Sequence, residues 1–147
     1  MMKEGYKVLL ICTMLCSFQL SYSQSIFGKW KTVDDRNGME KALIHVYEEG
    51  GAMYAKVLKI LEKGKKNAKC VKCKGGRKDK PVEGMMIMDS LTKNKKGEYT
   101  GKTLFDPEQA MTFRCKIWLN PENSNELKVR GYLAFIYRTQ TWVRATD

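Results

Sequence analysis

Met111-Thr112-Phe113-Arg114-Cys115-Lys116-Ile117-Trp118-Leu119 is the stretch that decides the fold. Successive side chains of a strand point to opposite faces. Met111, Phe113, Cys115, Ile117 and Leu119 therefore share one face, and Thr112, Arg114, Lys116 and Trp118 the other. That alternation describes a half-buried β-strand, and it sends Cys115 inward beside Phe113 and Ile117. The following run repeats the logic, with Leu127, Val129 and Gly131 inward and Lys128 and Arg130 outward.

Working outward, the apolar runs are short and rich in β-branched or aromatic residues, which predicts strands at 28–33, 40–48, 52–61, 82–91, 98–105, 111–119, 126–136 and 138–146. The breaks have physical causes. Asn37-Gly38 and Gly50-Gly51 supply the positive φ of tight hairpins, and Asn94 to Gly97, Asp106-Pro107 and Asn120-Pro121 are turn chemistry. No segment carries a helical period beyond one short turn at 106–110. Antiparallel strands joined by short hairpins predict an all-β fold, a single up-and-down barrel of about eight strands, because closure removes exposed sheet edges.

Ahead of this domain, residues 1–23 read as a secretory signal peptide. Lys3 and Lys7 precede an uncharged run at 8–20, and Ser21-Tyr22-Ser23 provides a small-x-small exit. The run is shorter than the roughly 20 residues of a membrane span, so an anchor is the weaker reading. The expected mature chain is 24–147, one domain, periplasmic or at the cell surface or secreted. It carries a net charge of +10 once Lys3, Lys7 and Glu4 are removed from the +11 of the whole chain. Nine of its basic residues lie at 63–80, opposed there only by Asp79. This stretch, inside the long connection 62–81, is expected to be a solvated, mobile loop. Nucleic acid is not an expected partner, because no aromatic residue interleaves the cluster to stack on a base.

Cys70, Cys73 and Cys115 remain after the leader is removed. Cys70-Val71-Lys72-Cys73 has the spacing of redox motifs and of half a zinc site. Against zinc stand the single histidine, His45, and the lack of a second such pair. Against a thioredoxin-type site stands the missing strand-to-helix context. A small disulfide between Cys70 and Cys73 is expected, with Cys115 a buried thiol and no metal or cofactor.

Gly28-x-Trp30 and the closing Arg138-Thr139-Gln140-Thr141-Trp142-Val143-Arg144 resemble the lipocalin-like, or calycin, barrels, in which the tryptophan plugs one end and a late arginine packs across it. Adding Cys70-x-x-Cys73-x-Gly75, Gly84, Asp106-Pro107 and Leu127-x-Val129-Arg130-Gly131-Tyr132, the chain resembles the exported bacterial family called domain of unknown function 2147 (DUF2147). It departs where that family has a glycine and then a tyrosine, here Ala110 and Phe113. The resemblance implies a signal peptide, a small β-barrel and an envelope location, and it implies no activity.

No catalytic constellation emerges. His45 sits in a strand between Ile44 and Val46, and Asp34-Asp35 before Asn37-Gly38 is hairpin solvation. The expectation is a non-enzymatic, monomeric barrel binding a small apolar or amphipathic ligand, lined by Trp30, Tyr54, Tyr99, Phe113, Tyr132 and Trp142, with Met53 and Met85 adapting to its shape. Trp30 and Trp142, on the first and last strands, are expected to flank the cavity. An eight-stranded barrel is also narrow enough to pack solid. Two alternatives stand beside it. The barrel is a scaffold docking on an anionic envelope surface through its basic loop, or it works by thiol chemistry at Cys70 and Cys73.

Overall fold

The computed structural model describes residues 24–146. The leader expected at 1–23 lies outside them. Eight strands follow one another: β1 (Gly28–Val33), β2 (Glu40–Glu49), β3 (Ala52–Ile60), β4 (Met86–Lys93), β5 (Tyr99–Asp106), β6 (Met111–Asn120), β7 (Asn123–Leu133) and β8 (Ile136–Arg144). Each pairs antiparallel with its sequence neighbours, and β8 returns to β1 through Trp30 with Arg144, Lys31 with Val143 and Thr32 with Trp142. The result is a closed up-and-down barrel, as the alternating pattern predicts.

The period of two sorts the side chains. Ile44 and Val46 of β2, Met53, Ala55 and Val57 of β3, Ile117 of β6, and Leu127 and Val129 of β7 are buried in one core with Trp30 and Trp142. The β2–β3 turn uses Gly50 and Gly51 at φ 56° and 78°, a backbone that side chains with a Cβ resist. Strand β4 breaks the parity, because Ile87, Met88 and Leu91 are all buried while Ser90 takes φ 55°. A local bulge of this kind re-phases a strand.

Only β1 keeps both expected bounds; most others shift by one residue, and β4, β7 and β8 shift by two to four, with β7 starting at Asn123. Strand β4 starts at Met86, and residues 82–85 belong to the preceding connection. The last hairpin turns at Ala134-Phe135, with Leu133 opposite Ile136, two residues before the break read at Tyr137. Ala134 adopts φ 53° there without any glycine, asparagine or proline to announce it. Ala110, where the resembling family has a glycine, likewise takes φ 54° and packs against a small cluster of Cys70, Cys73, Met85 and Phe105.

The connection 61–85 is the main correction. Its nine basic side chains are solvent-exposed, yet the backbone is held rather than loose. Cys70 and Cys73 lie at disulfide-bonding distance with Cα atoms 5.3 Å apart, and they form a second core with Met85 and Phe105. The Cys70 N–H donates to the Lys80 carbonyl and the Val82 N–H to the Ala68 carbonyl, both at 2.9 Å. The Arg77 guanidinium lies 4.2 Å from the Phe105 ring centre. Phe105 and Ala110 come from the β5–β6 hairpin, so this core joins segments that sequence spacing keeps apart.

Candidate functional site

The two ends of the barrel are built differently. At one end Trp30 is fully buried, its indole N–H donates to the Ile26 carbonyl at 2.9 Å, and Arg144 covers its face with the guanidinium 4.1 Å from the ring centre. Arg144 also donates to the Ser25 carbonyl at 2.7 Å, tying the entering and leaving chain together. Gly28 takes φ 129°, a backbone that a residue with a Cβ resists, and a Cβ there would still clear Arg144 Nη1 at 3.4 Å. Above the plug, Val46, Met53, Leu91, Ile117 and Leu127 are almost entirely buried, and Phe27 meets Tyr99 edge-on at 5.9 Å. This half is packed solid.

The opposite half is hollow. A cavity of about 520 Å³ opens between the β1–β2, β5–β6 and β7–β8 hairpins and the basic connection. Ala42, Ile44, Val57, Ile87, Leu104 and Val129 form its apolar wall, with Phe105, Phe113, Tyr137 and Trp142 as its aromatic members. Gly131 contributes no side chain, and an added Cβ would meet Leu104 and Phe113 only at ordinary contact distance, 3.5–3.7 Å. Gln140 and Thr32 are polar groups on the wall, and Gln140 accepts a hydrogen bond from the Trp142 indole N–H at 3.3 Å.

Charged groups ring the mouth, and they are paired. Asp34 holds Arg36 at 2.8 Å, Lys41 holds Glu108 at 2.8 Å, Lys65 holds Glu62 at 2.9 Å, and Arg138 reaches Asp35. The Arg36 guanidinium, donating to both Asp34 oxygens, keeps that carboxyl well below the usual carboxylate range. Asp34-Asp35 is thus an acidic pair whose members serve two different arginines.

Of the six aromatic residues expected to line a ligand site, two border the cavity, Phe113 and Trp142. Trp30 plugs the far end, with the Arg144 guanidinium over its indole face. Tyr99 belongs to the packed half, and burial pushes its phenol up from the ordinary value. Tyr54 is on the outer surface, stacked on Tyr47 at 5.7 Å and bonded to Ser90 Oγ at 3.1 Å. Tyr132 is outside as well, beside Tyr137 at 5.9 Å. Met53 lies in the packed half and Met85 in the small second core. Parity held the signal for both misplaced tyrosines: Tyr54 sits between inward Met53 and Ala55, and Tyr132 follows inward Gly131. Parity also marks Ala42, Ile44, Val57 and Gln140, wall residues not singled out beforehand.

The remaining reactive groups are placed away from the cup or buried. His45 faces outward, 5.2 Å from the Tyr47 ring. Cys115 is a free, buried thiol, and burial pushes it up to about 11. Cys70 and Cys73 are 0% and 4% exposed, which leaves little access for an attacking thiolate. Among the described residues, no three His, Cys, Asp or Glu side chains come together as a metal-holding group.

A closed eight-stranded barrel, plugged by a tryptophan under an arginine and open at the other end, defines the lipocalin-like class. Its fold is similar to a solved structure described as protein HP1028 from the human pathogen Helicobacter pylori, of the lipocalin family, with a TM-score of 0.69 and 19% identity over 84% of each chain. The chain itself belongs to the family described as uncharacterized protein conserved in bacteria (DUF2147), whose model matches residues 28–144. No curated protein matches it in sequence.

Proposed function

We propose that this chain is an exported, monomeric, non-enzymatic binding protein whose cup takes one small apolar or amphipathic molecule. The observation that carries the reading is the 520 Å³ cavity, apolar along its wall and open at one end of a barrel sealed at the other. Its size falls in the ordinary range for small-molecule sites, roughly 300–1,000 Å³. An apolar tail fits the wall, and a polar head fits Gln140 or the charged rim. The lipocalin-family neighbour supports the barrel as a setting for such a site. The pairing of the ionisable groups at the mouth with one another supports a non-catalytic role. Export to the periplasm or cell surface rests on the pattern of residues 1–23.

The test is uptake of a fluorescent fatty-acid probe by the chain from Gln24, which contains the complete barrel and its core. Gly131→Leu places a side chain in the cavity beside Leu104 and Phe113. It should weaken uptake about tenfold or more, at a stability cost of about 1–3 kcal/mol at most. A parent that takes no probe, or a variant that takes it equally well, defeats the proposal. Intact mass of the exported protein checks cleavage after Ser23.

A further inference from the structure

The exposed large apolar side chains are not spread evenly. Met39, Val71, Leu133, Phe135, Ile136 and Tyr137 all belong to connections or strand ends at the open end of the barrel; of the exposed large apolar residues described, Val143 alone lies elsewhere. Four of the six form one projecting hairpin tip. Phe135 is 93% exposed, and Leu133, Ile136 and Tyr137 are 52–63% exposed. A two-residue turn with an almost bare phenylalanine at its apex is costly in water unless something covers it.

Directly behind this tip stands a collar of guanidinium groups. Arg114 donates to the Ala134 carbonyl at 3.3 Å, and Arg130 lies 4.3 Å from the Tyr137 ring centre. Across the same mouth runs the connection 61–85, with nine basic and three acidic residues, whose Lys65 and Ala68 border the cavity together with Leu133 and Tyr137. The acids of the other turns at the mouth, Asp34, Asp35 and Glu108, are each matched by a base, Arg36, Arg138 and Lys41, so the excess of the connection stands. At the plugged end Glu48, Glu49, Glu98 and Glu122 outnumber Lys93, Lys95 and Lys96.

We propose that the open end docks on a bilayer rich in anionic head groups, with Phe135 and its hairpin neighbours inserted among the acyl chains and Arg114, Arg130 and the basic connection on the phosphates. An apolar tip backed by cations is the pattern that binds membrane interfaces. Tyrosine at the boundary, here Tyr137, suits the head-group level. A second copy of the chain fits poorly, because tip-to-tip contact would bring one arginine collar against another. The inserted tip would bring the mouth of the cup to the lipid, giving an amphipathic ligand a dry path; this last clause rests on the binding role proposed above.

Sedimentation with vesicles tests the docking, using phosphatidylcholine alone and phosphatidylcholine with phosphatidylglycerol, at low and at high salt. The parent should bind the phosphatidylglycerol vesicles about tenfold better at low salt, and lose most of that preference at high salt. Phe135→Ser should lose most of the binding, while its probe uptake in vesicle-free buffer stays at the parent level, because Phe135 does not border the cavity. Arg114→Gln should weaken the anionic preference alone. A parent that takes the probe but stays in the supernatant overturns the docking and leaves the ligand reading intact. A parent that pellets but takes no probe does the reverse. Equal binding of parent and Phe135→Ser overturns the role of the tip, and a dimer dissolved by Phe135→Ser would assign the patch to a second copy.

Discussion

The plugged and open halves of this barrel are made from the same strands with the same alternation, yet one is solid and the other hollow. The difference lies in side-chain size. Towards the plug, the interior positions carry Trp30, Met53, Leu91, Tyr99, Ile117 and Leu127. Towards the mouth, Ala42, Val57, Val129 and Gly131 are interspersed among the larger Ile44, Ile87, Leu104, Phe113 and Trp142. An eight-stranded barrel is just wide enough for large side chains to fill. A few small residues on one level therefore suffice to leave a cup without altering the fold. Strand pattern sets which way a side chain faces, and volume sets whether the space is filled.

The tryptophans give the largest test of this contrast. Trp30→Ala removes a fully enclosed indole with its hydrogen bond and its arginine partner, and should cost about 3–5 kcal/mol in chemical denaturation. Trp142→Ala should cost less, about 2 kcal/mol, because one side of that ring already faces the cavity, and it should weaken probe uptake. Equal costs for the two would erase the distinction between the halves.

Cys115 marks the boundary more finely, since it lies between cavity-facing Phe113 and packed Ile117. Burial raises its thiol from 9.0 to about 11. A group whose value is raised on folding adds stability below its unfolded value and loses it as pH climbs through the folded one. Between pH 9 and 11 the parent should therefore lose up to about 2 kcal/mol more stability than Cys115→Ala. Alkylation of the native thiol at neutral pH, by contrast, would show that water reaches one layer deeper than the geometry shows.

The smallest expected effect comes from reducing the Cys70–Cys73 bridge at the rim. So short a ring contributes at most about 2 kcal/mol by chain entropy. Hydrogen exchange should quicken across 68–85 and hold steady in the strands. If strand protection fell too, the small second core would be shown to support the whole open half.

Much of the fold was legible because its signals are local. The alternation in Met111 to Leu119 fixed a strand and the burial of Cys115, and Gly50-Gly51 fixed a turn. Gly28-x-Trp30 with Arg144 pointed to the plug. What escaped depends on distant partners or on unusual backbone. Ser90 re-phases β4 without a glycine, and Ala134 turns the last hairpin without one. The order in 61–85 needs Phe105 and Ala110 from another hairpin. The cavity needs the summed volumes of side chains from all eight strands, which no single segment displays. Choosing wall residues by aromatic character alone placed Tyr54 and Tyr132 inside, where counting from Met53 or Gly131 would have placed them outside.

The pairing of β1 with β8 has a topological consequence. With an even number of antiparallel strands, the chain enters and leaves at the same pole, where Ala145 N–H donates to the Lys29 carbonyl at 3.0 Å. Residues 24 and 146 can therefore be joined by a short linker and new ends opened at Gly50-Gly51, yielding a circular permutant in which every connection around the mouth is uncut. Fusions, tags or surface tethers on either original end likewise hang from the sealed pole and leave the cup unobstructed.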